Sequence, residues 1–234
     1  MFPFFYYNIN YMMFMIPAFL LMIGTQFYVN STYRKWSQVQ SRNRMTGAQA
    51  AQNLIRRKNL YDVQIEGVRG KLTDHYDPRT KVLRLSEGVY GQPSIAALAI
   101  AAHELGHALQ DQEGYFPLRL RAMLVPAVNI GSYLGWIFII LGLLLNLTGL
   151  AWAGLIVFGL GALFALATLP VEFNASARAK QMLAESGIIM GEGEQRGVNA
   201  VLNAAALTYV AALFTAVMQL LYYTSMVLGS GRRR

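Results

Sequence analysis

The sequence contains no cysteine and little charge. Because cysteine is absent, disulfide bonds and thiolate metal ligands are both excluded. Only 14% of the residues are Asp, Glu, Lys or Arg, whereas an ordinary soluble domain has about 25%. Hydrophobic residues make up 55% of the chain. This imbalance indicates a membrane protein.

The few charged residues are confined to two parts of the chain and its end. No charged residue precedes Arg34, and none lies between Arg121 and Glu172. None lies between Arg196 and Arg232 either. Three uncharged blocks therefore alternate with two polar segments. Since a helix needs about 20 apolar residues to cross the hydrocarbon core, the blocks have room for one, two and one spans, respectively.

Four membrane-spanning helices follow from these blocks. We predict them near Tyr7–Tyr28, Pro126–Leu145, Leu150–Leu169 and Val201–Leu228, with a tight turn at Asn146–Gly149. The first span has no basic leading region and no small-residue cleavage signal, and its apolar run is longer than a signal-peptide core. We therefore expect it to remain as an anchor.

The net charge of +8 has an explanation in membrane topology. A basic chain can bind nucleic acid, but fourteen of the twenty Lys and Arg lie within Asn30–Arg121, between two spans. The positive-inside rule places such a segment in the cytoplasm, and no nucleic acid partner is expected. Counting spans then places Glu172–Arg196 inside as well. The tail Arg232–Arg234 would lie outside, unless it snorkels at the interface or the last helix does not cross fully.

The first polar segment combines a short helix with β-structure. Thr46 can cap a helix that continues to Ile55, and Val63–Val68 alternates apolar and polar residues as a strand does. Lys71–Tyr76 and Lys81–Ser86 flank a turn-type sequence, as the strands of a hairpin would. Lys81–Ser86 is either the second strand of that hairpin or an edge strand that pairs with an extended substrate.

Two histidines lie one helical turn apart in His103-Glu104-Leu-Gly-His107. Ser94 can cap a helix running to about Gln112, and residues four apart on a helix share one face, so both imidazoles can reach one metal. Glu104 lies beside them and can take a proton from a water whose pKa zinc lowers from about 16 to about 7. Burying three ionisable groups in an apolar helix without a metal would cost several kcal/mol, which disfavours surface histidines on a solvated helix.

A catalytic zinc needs a third protein ligand. No third histidine closely follows His107, so the choices are His75 and the carboxylates. Glu172 is the best candidate, because two predicted spans separate it from His107 and return the chain to the same side of the membrane. The alternative is an interfacial carboxylate paired with Arg178 or Lys180.

Small residues after Glu172 would allow its helix to approach the histidine helix closely. They are Ala175, Ala177 and Ala179. Farther along, Gly187–Gly197 is rich in glycine and is either a mobile flap over the site or a simple loop. The acidic residues of this region are interpreted as solvated loop charges; they are Glu185, Glu192 and Glu194.

Three stretches of the sequence carry a family resemblance. Asp74–Ser86, Ala101–Gln110 and Leu169–Ser176, in this order, make the chain similar to the YugP-type neutral zinc metallopeptidases, membrane proteins of the gluzincin group. The resemblance implies one zinc ion per chain, with His103, His107 and Glu172 as ligands, and peptidase activity. Related membrane proteases carry the motif Glu-Phe-x-Ala-Asp; here Ser176 replaces the Asp, and Asn174 stands where closer relatives are expected to have Asp.

The resulting fold class is an α-helical membrane protein with about four transmembrane helices and a small α+β gluzincin-like cytoplasmic metallopeptidase domain. Five segments are predicted: an anchor (residues 1–29), a cytoplasmic catalytic region (30–121), a transmembrane hairpin (122–170), a second cytoplasmic segment (171–200), and a last transmembrane helix with a basic tail (201–234). The expected location is the bacterial plasma membrane, with the active site on the cytoplasmic side.

The predicted function is zinc-dependent hydrolysis of peptide bonds, with Glu104 as general base and a protein or peptide as substrate at the lipid bilayer. The oxyanion would be stabilised by His75, Tyr76 or Arg178; His75 could instead be structural, and Arg178 could hold Glu172 in place. A zinc-stabilised scaffold or chaperone is the alternative. A transporter is disfavoured because no predicted span carries a charge at its centre.

Overall fold

The computed structural model describes residues 3–231, with the side chains of residue 9 and residues 11–229. The basic tail Arg232–Arg234, whose side of the membrane the sequence left open, lies outside the described residues.

Helices dominate the described chain. They are α1 (Pro3–Ser37), α2 (Gly47–Arg57), α3 (Glu87–Tyr90), α4 (Ile95–Gln112), α5 (Phe116–Leu144), α6 (Thr148–Phe158), α7 (Leu160–Glu185) and α8 (Gly191–Gly231). The strands are β1 (Gln64–Val68), β2 (His75–Asp77) and β3 (Val82–Ser86).

Four apolar helical segments of the described chain are long enough to cross a membrane. They are Tyr11–Ser37, Phe116–Leu144, Thr148–Glu185 and Gly191–Gly229. The third comprises α6 and α7, which are separated only at Gly159. The predicted number of four long apolar helical segments is confirmed, and these segments indicate a membrane protein.

The chain folds into two compact units. The first comprises the described residues up to Thr25, Arg119–Leu169 and the described residues from Thr208 onward. The second comprises Gln26–Leu118 and Pro170–Leu207. The boundaries of the five segments named above stay a prediction.

In the first unit, small residues bring α5 and α6 into backbone contact. A Cβ atom added to Gly135 would lie 2.7 Å from the main-chain nitrogen of Phe158, and one added to Gly154 would lie 2.6 Å from that of Ile139. These distances leave no room for a side chain. In an apolar environment, close packing of small residues is a main source of attraction between helices.

The second unit is built around a three-stranded sheet and α4. The strand order is β1-β3-β2, with β1 parallel to β3 and β2 antiparallel to it. The hairpin interpretation of Lys81–Ser86 is therefore confirmed, although the first strand is His75–Asp77 rather than Lys71–Tyr76. The edge-strand alternative is wrong, because β1 pairs with the other side of β3 and leaves it no free edge.

The predicted helix starts are also confirmed. The N–H of Gln49 donates to Oγ1 of Thr46 at 3.2 Å, and the N–H of Thr46 donates to Oε1 of Gln49 at 3.0 Å, which forms a reciprocal capping box on α2. Oγ of Ser94 accepts the N–H of Ala97 at 3.2 Å and caps α4. The apolar first half of α4 is buried except for the partly buried Ile100, so this helix forms the centre of the unit.

The glycine-rich segment Gly187–Gly197 is mostly helical rather than a loop or a flap, since α8 begins at Gly191. The interpretation of Glu194 as a solvated charge is wrong, because only 7% of it is exposed. Its carboxylate accepts the main-chain N–H groups of Arg42, at 2.7 Å, and Met190, at 2.5 Å. Two backbone donors compensate the burial of this charge.

We predict that Gly135→Ala destabilises the protein, because the new Cβ would force α5 and α6 apart, and overpacking of this kind costs about 1–3 kcal/mol. Gly161→Ala is the matched control, since a Cβ at that position meets nothing within 4 Å. It should leave stability unchanged or raise it slightly. The measurement is the thermal unfolding midpoint in detergent, and equal shifts for both variants would contradict the packing argument.

Candidate metal centre

Two helices bring three potential metal ligands together in the second unit. His103 and His107 lie on α4, Glu172 lies on α7, and one ligand atom from each lies within 4.8 Å of the others. Oε2 of Glu172 is 3.3 Å from Nε2 of His103 and 3.6 Å from Nε2 of His107. Of the choices left open by the sequence, Glu172 joins the two histidines. The imidazole of His75 is exposed, and its Nδ1 lies 2.9 Å from the carbonyl oxygen of Thr73.

A glycine inside the histidine motif permits this approach of α4 to α7. A Cβ atom on Gly106 would lie only 2.6 Å from the main-chain oxygen of Ala175. Ala175 and Ala179 are fully buried, whereas Ala177 is exposed. Of the three alanines predicted to permit the approach, Ala175 forms the contact and Ala179 is buried, whereas Ala177 lies on another face of the helix.

The three donor atoms suit a divalent ion of the zinc type. Two imidazole nitrogens and a carboxylate oxygen are common zinc ligands, with bonds of about 2.0–2.2 Å, and tetrahedral angles then place ligand atoms about 3.4 Å apart. The two distances to Glu172 of 3.3 and 3.6 Å lie close to this value. Only 2% of Glu172 and 9% of His103 are exposed, and a cation would compensate the buried carboxylate.

The outer nitrogen of each imidazole has a partner of its own. Nδ1 of His103 lies 3.2 Å from Oγ of Ser176, and Nδ1 of His107 lies 3.0 Å from Oε1 of Gln110. Such contacts orient the ring so that Nε2 faces a metal. Ser176 therefore makes contact at the position where related families have Asp. Sequence reasoning missed Gln110, although a buried amide three residues after His107 on an apolar helix was a usable signal.

Glu104 is held by the edge of the sheet. Its Oε2 accepts the main-chain N–H of Tyr76, on β2, at 3.1 Å. The hydroxyl of Tyr76 donates to Oδ2 of Asp111 at 2.9 Å, and Nζ of Lys81 donates to the same oxygen at 2.6 Å. Burial, followed by the contact with Asp111, raises the pKa of Tyr76 well above its usual value. Of the three oxyanion candidates, Tyr76 thus uses its hydroxyl for Asp111.

Arg178 contacts residues around the centre. Its Nε donates to Oδ1 of Asn174 at 2.6 Å, and its Nη2 donates to Oε2 of Glu113 at 2.6 Å. Its guanidinium also lies over the ring of Tyr115, 5.9 Å from the centroid. The suggested roles of Arg178 and His75 at the oxyanion stay predictions.

The pKa of His107 reflects two opposing influences. Burial lowers it, but the contact with Glu172 and the charge of Glu104 act in the opposite direction and prevail. The net result is a pKa above the ordinary value of 6.5. Excess negative charge around His107 therefore favours a cation, either a proton on the ring or a metal beside it.

Comparison with known proteins identifies the family. A family model described as "Putative neutral zinc metallopeptidase" matches residues 11–228. The chain belongs to this family. It is 46% identical over 217 residues to a Bacillus subtilis (strain 168) protein named "Putative membrane protease YugP", covering 93% of this chain and 96% of the relative. No solved structure matches. The family resemblance found in the sequence is thus confirmed.

For a member of a zinc family, we predict that affinity for zinc decreases as the pH falls. Protonation of His107 stabilises the folded, metal-free protein. This stabilisation is fully present below the pKa of histidine in the unfolded chain, about 6.5. It is lost as the pH rises through the raised pKa of His107 in the folded protein. Zinc requires the neutral imidazole, so the dissociation constant should increase up to about tenfold per pH unit for each proton displaced. Competition with a chelator between about pH 5.5 and 8.5 measures this dependence; a constant affinity over that range would contradict it.

Proposed function

We propose that this protein is a membrane-embedded zinc-dependent endopeptidase that hydrolyses peptide bonds of membrane or membrane-associated proteins at the cytoplasmic face. The observation that carries the proposal is the set of three converging metal ligands with a fourth ionisable residue, Glu104, beside them on α4. A purely structural metal site has no use for such a carboxylate. The α+β arrangement of sheet, α4 and α7 supports a gluzincin-like domain.

His103, His107 and Glu172 would hold the zinc and leave its remaining position open. When bound there, zinc supplies Lewis acidity that polarises the scissile carbonyl and lowers the pKa of a water to about 7. Burial of the three side chains strengthens the electrostatic interactions among them.

Glu104 would act as the general base. Its carboxylate accepts a proton from the attacking water and later gives it to the leaving amine. The N–H of Tyr76 restricts the rotation of this carboxylate by binding Oε2, and Oε1 remains for proton transfer. His75 precedes Tyr76 on β2, and its exposed imidazole can reach outward to a substrate. His75 is accordingly the residue that we assign to the oxyanion or to a substrate contact.

The proposed side of the membrane follows from charge. Seventeen of the twenty basic residues belong to the two polar segments before the tail, 30–121 and 171–200, and the positive-inside rule assigns both to the cytoplasm. The turn that connects α5 to α6 is shorter than predicted, comprises residues 145–147 and carries no charge. In the proposed topology this turn lies on the outer side, and the bacterial plasma membrane is the expected location.

Glu104→Gln is expected to reduce peptide hydrolysis by about 10²–10⁴-fold, because the general base is lost, while the zinc content stays at one ion per chain. Glu87→Gln is the control, since Glu87 is an exposed carboxylate on α3 of the same unit. Cleavage of fluorescent casein and metal analysis of the purified proteins provide the two measurements.

Comparative proteomics extends this test to natural substrates. Membranes containing the Glu104→Gln variant should accumulate proteins that wild-type membranes have degraded. If both forms leave the proteome unchanged and neither cleaves casein, the chain is a zinc-stabilised scaffold instead.

Topology can be tested cleanly because the chain has no cysteine of its own. We predict that a membrane-impermeant maleimide labels Gly149→Cys in intact cells, and labels Lys71→Cys and Gln195→Cys only after the membrane is permeabilised. All three positions are exposed, so accessibility to solvent does not distinguish them. Labelling of Lys71→Cys in intact cells would place the polar segment outside and refute the cytoplasmic assignment.

A further inference from the structure

We propose that Gln110 is a positioning residue that sets the tautomer of His107 and joins α4 to α7, and that Asn174 and Arg178 determine its orientation. The inference deepens the proposed function and rests on its metal centre. It concerns a chain of contacts that runs from the exposed Glu113 to the buried His107, through side chains with no direct part in the proton transfers described above.

The chain of contacts begins with a group that can only donate. The guanidinium of Arg178 has no acceptor atom, and its Nε lies 2.6 Å from the side chain of Asn174. The atom of Asn174 at that point must therefore be the oxygen, Oδ1. Glu113 accepts a hydrogen bond from Nη2 at 2.6 Å, which restrains the guanidinium in this orientation.

The orientation of Asn174 then determines that of Gln110. The amide nitrogen of Gln110 lies 3.0 Å from Oδ1 of Asn174 and 2.8 Å from the carbonyl oxygen of Val171. Both neighbours are acceptors. A reversed amide would place its oxygen against two other oxygens, so Nε2 must face them and Oε1 must face His107.

The orientation of Gln110 in turn selects one form of His107. An amide oxygen can only accept, and Oε1 lies 3.0 Å from Nδ1 of His107. In the neutral ring, Nδ1 therefore carries the hydrogen and Nε2 carries the lone pair. Nε2 is the atom that lies 3.6 Å from Glu172, on the side where a metal would bind.

The outer contact of the other histidine imposes no such constraint. Nδ1 of His103 faces the hydroxyl of Ser176 at 3.2 Å, and a hydroxyl can donate or accept. Ser176 therefore tolerates either tautomer of His103. Of the two outer contacts, only that of Gln110 selects a tautomer by itself.

Gln110 also connects the two helices that carry the ligands. It is fully buried, with 0% exposed, and its amide makes one bond within α4 and two to α7. One of these reaches the carbonyl of Val171, the residue before Glu172. Loss of the side chain should therefore affect both the tautomer of His107 and the placement of Glu172.

The first experiment is the zinc affinity of Gln110→Leu, measured by competition with a chelator. Leu has a similar volume but no polar atoms, and loss of such an outer contact typically weakens metal binding 10–100-fold. Gln112→Leu is the matched control: it removes the same amide from the same helix, but Gln112 is exposed and donates to the carbonyl of Asn59 at 3.2 Å. Its zinc affinity should equal that of wild type.

A second pair of variants tests the chain of contacts while leaving the buried Gln110 in place. Asn174→Asp retains an oxygen for both Arg178 and Gln110 and should bind zinc almost as tightly as wild type. Asn174→Leu releases the amide of Gln110 and should bind zinc several-fold more weakly. Rescue by the conservative variant would not follow from a role in packing alone.

A spectroscopic measurement reads the tautomer directly. The chain has three histidines, so the ¹⁵N spectrum of histidine-labelled, zinc-free protein at alkaline pH is simple. The signal that disappears in His107→Gln belongs to His107. It should show the Nδ1–H form in wild type and Asn174→Asp, and a mixture of both forms in Asn174→Leu.

The inference is overturned if Gln110→Leu and Asn174→Leu bind zinc like wild type, or if His107 of wild type carries its hydrogen on Nε2. Those results would leave a loss of cleavage in Glu104→Gln unaffected. The converse result is also informative. If the Gln110 and Asn174 variants bind zinc as expected but the wild-type protein cleaves no substrate, the role of Gln110 is supported and the proposed endopeptidase function is refuted.

Discussion

The candidate metal centre depends on one close contact between two helix backbones. Gly106 faces the carbonyl of Ala175 at a distance that admits no side chain, and this contact brings Glu172 to the two imidazoles of α4. A Cβ atom at position 106 would force α4 and α7 apart and move the carboxylate away from the imidazoles. The convergence of the three candidate ligands therefore originates in two positions that carry no polar side chain.

The polar side chains around the centre follow from the cost of burial. Once His103, His107 and Glu172 are removed from water, each remaining polar atom requires a partner. Ser176 and Gln110 meet this need for the outer nitrogens of the imidazoles, and Asn174 meets it for the amide of Gln110. The outer end of this network, at the partly buried Arg178 and the exposed Glu113, lies where water can solvate the charges.

Several sequence predictions failed or stayed open for a common physical reason. Glu194 has the sequence context of a surface charge, but the N–H groups of Arg42 and Met190 compensate its burial. The pairing of β1 with β3 joins strands that are not consecutive, and local patterns carry no information about such a pairing. In each case one decisive partner lies in another part of the chain, Arg42 for Glu194 and β3 for β1.

The sequence by itself determined the features that depend on local chemistry. Charge-free runs located four apolar helices, Thr46 and Ser94 located helix starts, and the spacing of His103 and His107 located two ligands on one helical face. The tertiary structure alone decided that Glu172 meets those histidines, that Tyr76 contacts Glu104, and that the amide of Gln110 reaches α7. Helical periodicity acts over a few residues, whereas these contacts depend on how α4, α7 and the sheet pack together.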